Sequence, residues 1–391
     1  MRIVQAVFGV FHHFELAREL ERRGHLSRIY STFPWQRLKR EGLSRDFVET
    51  FPWIHTPEML LHRAGIHNTW LLDQISYANA LGFDAWTSRQ LRDKEAPDAL
   101  IAISGACLRT GREIQQRGGL LICDRGSSHQ RYQEQIVQQE YQRWGVSRPV
   151  TDIRDILREE KIYEIADAIT VPSSFAARSF VESGLPPEKI HRIPYGVRLE
   201  SFSRTGEPPA DRFEVLFAGS VGLRKGVPYL LEAFAKLRHS AKRLRVAGAL
   251  HPDIKTVLNR FPLDHVEFLG AVPQQQLAQL MSTSHAMVLP SIEDGFGLVL
   301  GQALACGCPA IATTNTGAAD LLTDGIEGFI IPIRDPQALT DRMQQLADDP
   351  ALQSRMSEAA LRRVRCIGGW SDYGDRWEAL LRAMVSSEAL V

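Results

Sequence analysis

The chain concentrates neither charge, sulfur nor hydrophobicity. Lys and Arg together number 46, as do Asp and Glu, and the first 200 residues hold 27 basic and 25 acidic side chains. Neither half offers a polybasic surface, which argues against nucleic acid as the main partner. Cysteine is scarce and odd in number: Cys107, Cys123, Cys306, Cys308 and Cys366. These sit in apolar or small-residue surroundings, as free thiols of a reducing compartment do. No segment approaches the roughly 18 apolar residues of a bilayer span. The opening MRIVQAVFGVFHHF reaches Gly9 after a short apolar run, so it reads as a first strand and not as a leader peptide. The expectation is a soluble, cytoplasmic protein, for which a few surface basic residues would suffice for loose membrane association. There is no internal repeat, and nothing indicates an oligomeric state. Also missing are GxxxxGK[ST], a GxGxxG opening either half, Asp-x-Asp, and any His/Cys/Asp cluster with metal-ligand spacing. A P-loop nucleotidase is thereby excluded, and no metal or cofactor is expected.

At 391 residues the chain fits two domains of about 150–200 residues. Short apolar runs alternate with helical spacing, the pattern of parallel α/β architecture. Arg2–Phe8 and Leu26–Tyr30 read as strands around a helix with Phe14, Leu16, Ala17 and Leu20 on one face, which Gly24 stops. Strands follow at Leu100–Ile103, Leu120–Cys123, Ala168–Val171 and Ile190–Pro194. Residues 33–95, with aromatics scattered among Pro and His, predict an irregular helical insert. Gln130–Glu160 predicts a long polar helical stretch, and Ser173 or Ser174 a helix cap. The polar segment 201–213, SFSRTGEPPADRF, is the best linker and divides a domain 1–205 from a domain 206–367. In the second, strands are expected at Glu214–Ala218, Leu244–Ala247, Val266–Leu269, Ala286–Leu289, Ala310–Ala312 and Gly328–Ile331. An amphipathic helix at about 368–391 is expected to pack back on the first domain.

Two loops of the second half carry the chemistry. In FAGSVGLRKG, Phe217–Gly226, a strand ends at Ala218, three glycines let the backbone approach a ligand, and a helix starts near Val227. Arg224 and Lys225 add two cations where a diphosphate would lie. Alone, the loop reads equally as a βα turn with two solvated cations. In PSIEDGFGLVLGQ, Pro290–Gln302, a turn on Gly295 and Gly297 leads into a helix whose N–H groups face the carboxyl edge of the sheet. Asp294 at the turn and Gln302 eight residues on reach one ligand from two sides. Singly, each reads as a cap and a surface Gln; both loops opening on one sheet edge favour a binding site. Cys306 and Cys308 read as small packing residues.

FAGSVGLRKGVPYLLEAF, VEFLGAVPQQQLAQLM and PSIEDGFGLVLGQALACGCPAIATTNTGAADLL, in that order, resemble the carboxyl-terminal domain of retaining family 4 glycosyltransferases, the glycosyl transferases of group 1. GVFHHFELARELERRGH and ADAITVPSSFAARSFVESGLPPEKIHRIPYGV resemble the family's first half. The resemblance is weakest between about residues 33 and 118. It implies the GT-B fold, two Rossmann-like domains with parallel sheets facing a cleft, and the transfer of a hexose from a nucleoside diphosphate sugar to a hydroxyl acceptor. Under it, Arg224 and Lys225 hold the donor diphosphate with Gly219, Ser220 and the backbone at Gly295, Phe296, Gly297 and Leu298. Asp294 meets the sugar hydroxyls and Gln302 the ribose. Gly9, His12 and His13 face the diphosphate and acceptor from the other domain.

Three positions depart from the family pattern. Asp294 and Gln302 stand where two glutamates are usual, with Glu293 one residue out of register. Ser220 replaces a common Arg, leaving Arg224 to supply that charge. The histidine that often ends a first-domain strand has no direct counterpart, and either Asp124 or His129 takes its place to orient the acceptor. Such departures keep open a GT-B scaffold without transfer activity, or an epimerase-like enzyme; a phosphorylase would need a cofactor lysine motif, and none is seen.

Overall fold

Each short apolar run becomes a strand in one of two parallel sheets, because a strand covered by helices on both faces must be apolar on both. The computed structural model of the chain describes residues 1–63 and 68–388. Residues 64–67 of the expected insert and 389–391 of the expected last helix lie outside them. The first sheet holds β1 (Ile3–Val7), β2 (Leu26–Ser31), β3 (Val48–Thr50), β4 (Ala99–Ile103), β5 (Leu120–Asp124), β6 (Ala168–Val171) and β7 (Ile190–Arg192). Its order is β3-β2-β1-β4-β5-β6-β7. The second holds β8 (Phe213–Ala218), β9 (Lys242–Ala247), β10 (Val266–Gly270), β11 (Ala286–Leu289), β12 (Ala310–Thr313) and β13 (Gly328–Ile331), in the order β10-β9-β8-β11-β12-β13. All pairs within both sheets are parallel. The central β1 and β8 are buried along their whole length, whereas the edge strand β10 is half-buried throughout.

This strand order fixes where ligands go. In each sheet the connection reverses direction once, between β1 and β4 and between β8 and β11, which splays the loops apart at the carboxyl ends of those strands. The loops concerned are Phe8–His12, Ser104–Cys107, Gly219–Gly226 and Pro290–Gly297.

Two segments differ from the sequence expectation. Gln130–Glu160 is two helices, Gln130–Trp144 and Ile153–Ile165, because Gly145 takes the left-handed conformation that ends the first, and Pro149 follows. Within 33–95 the chain is more regular than expected: it contains β3 and a 24-residue helix, Thr69–Arg92. Ser173 is the residue that caps the helix Ser174–Glu182, accepting from the Ala176 amide at 3.1 Å.

The chain passes between the domains twice, through Ile193–Arg212 and again at Gly368–Gly369. The passages touch: the Val197 amide donates to the Gly368 carbonyl at 3.2 Å. A Cβ on Gly196 would stand 2.3 Å from the Gly369 carbonyl oxygen, so glycine is required there. Arg376 donates to the Pro194 carbonyl at 2.8 Å and to the Ile367 carbonyl at 2.7 Å, clamping one passage to the other. The helix Trp370–Glu388 then lies against the first domain's helix His13–Arg22. Trp377 and Leu381 are fully buried there, and Arg23 bonds Asp375 at 2.5 Å.

Candidate active site

Both loops of the second domain meet directly. Gly226 has φ +67° and a Cβ on it would fall 1.9 Å from the Pro290 carbonyl, so only glycine allows this approach. The Ile292 amide donates to the Arg224 carbonyl at 2.9 Å, holding the loops edge to edge. Each cation of the first loop then faces a carboxylate of the second. Lys225 Nζ is 2.5 Å from Asp294 Oδ2, and Arg224 Nη1 is 2.9 Å from Glu293 Oε2. Asp294 Oδ1 also accepts from the Gly297 amide at 3.1 Å, at the start of the helix Leu298–Ala305. One aspartate therefore joins the cationic loop to a helix N-terminus.

In the first domain the loop after β1 turns back sharply, with Gly9 at φ +77° and Phe11, an exposed aromatic, at φ +41°. It delivers His12 and His13 to Asp124, the last residue of β5. His12 Nε2 lies 2.8 Å from Asp124 Oδ2, and Thr170 Oγ donates to Asp124 Oδ1 at 2.8 Å. Burial alone would raise the Asp124 carboxyl, but His12, His13 and Thr170 hold it below its ordinary value. His13 Nε2 lies 3.2 Å from Asp124 without hydrogen-bond alignment, and neither of its ring nitrogens has a hydrogen-bond partner. Burial, followed by the neighbouring His12, lowers His13 to about 3, so it is a neutral imidazole. The ring of Tyr195 packs 4.5 Å from that of His12.

The two halves enclose a cleft of about 610 Å³. From the second domain Asp294, Phe296, Gly297, Leu298 and Gln302 line it; from the first, Phe11, His12, Glu15, Ser127 and Gln133 do so, with Tyr195 from the connecting segment. Lys225 reaches this wall through its ion pair with Asp294, whereas Arg224, Glu293, Gly9, His13, Gly219, Ser220, Asp124 and Gly295 are not among the residues that line it. His129 is separated from the cleft altogether. Its ring packs between Tyr163 and Phe180, at 5.1 and 5.2 Å, and burial lowers it to about 4. Of the two candidates to end a first-domain strand with an acceptor-facing group, Asp124 stands beside the cleft and His129 is packed in the core.

Sequence spacing hid three features. Glu293 is fully buried and spans the domain boundary. It accepts from Ser127 Oγ at 2.7 Å, Ser128 Oγ at 2.8 Å and Gln133 Nε2 at 2.8 Å, all of the first domain, besides Arg224. Burial alone would raise its carboxyl, but Arg224 and those donors hold it down at about 2. Beside it, the Gly295 carbonyl accepts from Ser173 Oγ at 2.5 Å, and a Cβ on Gly295 would sit 2.3 Å from the Gly126 carbonyl oxygen. The domains touch at glycine because nothing larger fits. Finally, although no metal spacing is visible in the sequence, folding brings one ligand atom each of His12, His13 and Asp124 within 4.8 Å of one another. The SS dipeptide Ser127–Ser128 opposite a carboxylate-rich loop was the only available signal for the first of these; the other two depend on long-range packing.

Comparisons with known proteins agree across nearly the whole chain. Residues 10–201 match the family described as Glycosyltransferase Family 4, and residues 200–363 match Glycosyl transferases group 1. The D-inositol 3-phosphate glycosyltransferase 1 of Catenulispora acidiphila is 30% identical over 255 residues, 59% of this chain and 60% of that protein. The chain thus spans about 60% of the length of that curated relative. Sucrose-phosphate synthase from Thermosynechococcus elongatus superposes with a TM-score of 0.75 at 19% identity, over 99% of this chain and all of the other. Anabaena Alr3699/HepE, solved in complex with UDP and glucose, gives 0.69 at 16% identity over 98% of this chain and 100% of the other. These structural likenesses establish the shared fold.

Proposed function

The chain belongs to the family 4 glycosyltransferases and has the GT-B fold, and from that premise we propose that it moves a hexose from a nucleoside diphosphate sugar to an acceptor hydroxyl, with retention and without a metal. The observation that carries the reading is the meeting at one cleft of Asp294, which ties Lys225 of the cationic loop to a helix N-terminus, and of His12, paired with the Asp124 carboxylate, each from the carboxyl edge of its sheet. The donor diphosphate competes with Asp294 and Glu293 for Lys225 and Arg224, and the amides at Gly297 and Leu298 face it from the helix end. Gln302 takes the ribose, and Asp294, released from Lys225, takes sugar hydroxyls. As the bond from the anomeric carbon to the phosphate oxygen breaks, these fixed charges stabilise the leaving diphosphate. The acceptor oxygen joins on the same face, and its proton passes to the departing phosphate oxygen. The five free cysteines fit a reducing, cytoplasmic setting.

UDP-sugars are the first donors to test, in keeping with the UDP bound by the Anabaena neighbour. Donor hydrolysis across UDP-, GDP- and ADP-sugars should show turnover with one base, and absence of binding and turnover with every one removes the enzyme reading. Lys225→Ala should lower turnover about 10²–10³-fold, the scale of losing one preorganised charge-stabilising donor. Unchanged activity would sink the diphosphate assignment.

One observation favours a second reading. His12 Nε2 is committed to Asp124, while Nδ1 makes no hydrogen bond among the described residues and His12 lines the cleft. A histidine oriented by a carboxylate is the arrangement of a general base, which inversion by direct displacement needs and same-face transfer does not. Proton NMR of the first-formed product decides: retention supports the main reading, and an inverted anomeric centre selects the second.

A further inference from the structure

A cavity of about 320 Å³ lies at the connection between the domains and shares no lining residue with the cleft. Its volume is near the lower bound, about 300 Å³, of small-molecule sites. Arg192 of β7 enters it from the first domain, Asp320 and Arg363 from the second, and Arg376 from the last helix.

The charges on this lining do not balance. Asp320 is its one carboxylate, and that side chain is 2% exposed and already engaged. It accepts from Arg192 Nη1 at 2.6 Å, from the Ser174 amide at 2.8 Å and from Ser174 Oγ at 2.7 Å. Arg363 and Arg376 bond only to neutral groups. Arg363 donates to the Leu321 and Asp320 carbonyls at 3.0 and 3.3 Å, and Arg376 to those of Pro194 and Ile367 at 2.8 and 2.7 Å. Neither makes an ion pair among the described residues. Arg363 Nη1 and Arg376 Nε donate to no described group, yet they are not sealed from solvent. The carboxyl end of the helix Pro350–Ile367 attracts cations on its own account. That does not explain the cluster, because Arg363 turns to Leu321 and Asp320, and Arg192 comes from the other domain.

We propose that this cavity is a second anion site, apart from the donor site, and that it binds a small molecule bearing a phosphate or diphosphate group. Guanidinium forks suit phosphate oxygens because each can donate two parallel hydrogen bonds. The anion is held by both domains at once, by Arg192 of the first and Arg363 of the second. Arg376 joins them while it clamps the two passages, so the bound anion acts on the connection and not on the reacting atoms.

Cys366 lines the same cavity and is exposed, so its alkylation reports occupancy. In the full chain at neutral pH, labelling of Cys366 by iodoacetamide is followed by mass spectrometry against rising inorganic pyrophosphate, with sodium chloride at matched ionic strength as the control. The expected result is a saturable slowing by pyrophosphate that chloride does not reproduce. Arg363→Gln and Arg192→Gln should each raise the half-protecting concentration about tenfold, the scale of losing one charge-assisted hydrogen bond. Either variant serves if the other melts early. Lys225→Ala should leave that concentration unchanged, which separates this site from the donor diphosphate. Protection that chloride matches, protection unchanged in the folded arginine variants, or protection lost in Lys225→Ala overturns the proposal. So does sedimentation with phosphatidylglycerol vesicles without protection by pyrophosphate, which makes the arginines a membrane contact. Because labelling needs no turnover, a chain that hydrolyses no sugar nucleotide fails the transferase reading alone.

Discussion

At neutral pH the buried Glu293 carboxylate is charged and holds three first-domain side chains and Arg224. Glu293→Gln keeps the shape, removes the charge and sets an amide N–H₂ against donors from Gln133 or Arg224. Folding moves this carboxyl from 4.5 to about 2, which corresponds to about 3 kcal/mol of stability from its ionised form. The same figure falls at the low end of the about 3–5 kcal/mol lost when one partner of a buried ion pair is removed. The sign of the pH dependence follows from the depressed value. Stability from Glu293 is fully present above the unfolded value of 4.5 and is lost as pH falls toward about 2. Urea unfolding of the wild type and Glu293→Gln, followed by tryptophan fluorescence, should therefore differ by about 3 kcal/mol at pH 7, with the gap closing between pH 4.5 and the acid limit. Equal stabilities at pH 7, or a gap as wide at pH 3 as at pH 7, would refute the argument that the ionised carboxylate joins the domains.

Gly295→Ala should lower transfer without unfolding either domain, because its Cβ would lie 2.3 Å from the Gly126 carbonyl oxygen and hold the domains apart; a melting temperature near wild type with activity reduced at least about tenfold is the expected outcome, and full activity would show that the contact is not needed. Transfer should survive exhaustive treatment with a chelator, since Arg224 and Lys225 provide the charge; loss restored by a divalent cation would instead make His12, His13 and Asp124 a metal site. In native protein a thiol reagent should label Cys366 alone, the other four cysteines being buried, and all five after denaturation; fast labelling of a second thiol would contradict the packing around Cys306 and Cys308.

The strands were the most legible part of the sequence, for a physical reason. Runs such as residues 215–218 and Ala286–Leu289 are buried on both faces, so they appear as unbroken apolar blocks whatever their neighbours. The two glycine loops of the second domain were legible because glycine and paired cations are local signals. Thr69–Arg92 was not. Its inward stripe runs Asn79, Ala80, Phe83, Asp84, Thr87, Ser88, Leu91, correctly spaced for a helix but half polar, so no apolar periodicity announces it. Asp84 sits in that stripe to receive Arg158 and the amides of Arg109 and Thr110, contacts that span 25 to 74 residues. The same limit hid the pairing of His12 with Asp124, 112 residues apart, and the reach of Glu293 across the cleft. In each case the partner, and not the residue, defines the role.

The two passages between the domains have a mechanical consequence. A single flexible tether would let the halves swivel in any direction. Here Gly196 and Gly369 lie back to back and Arg376 grips both strands of the connection, like two pins set side by side in one door frame. Twisting one half about its long axis would have to stretch one pin while compressing the other, whereas swinging about the line of the pins strains neither. A displacement of the halves that keeps these contacts is thus confined to one angle, so the loops bearing Asp294 and His12 share a single line of approach.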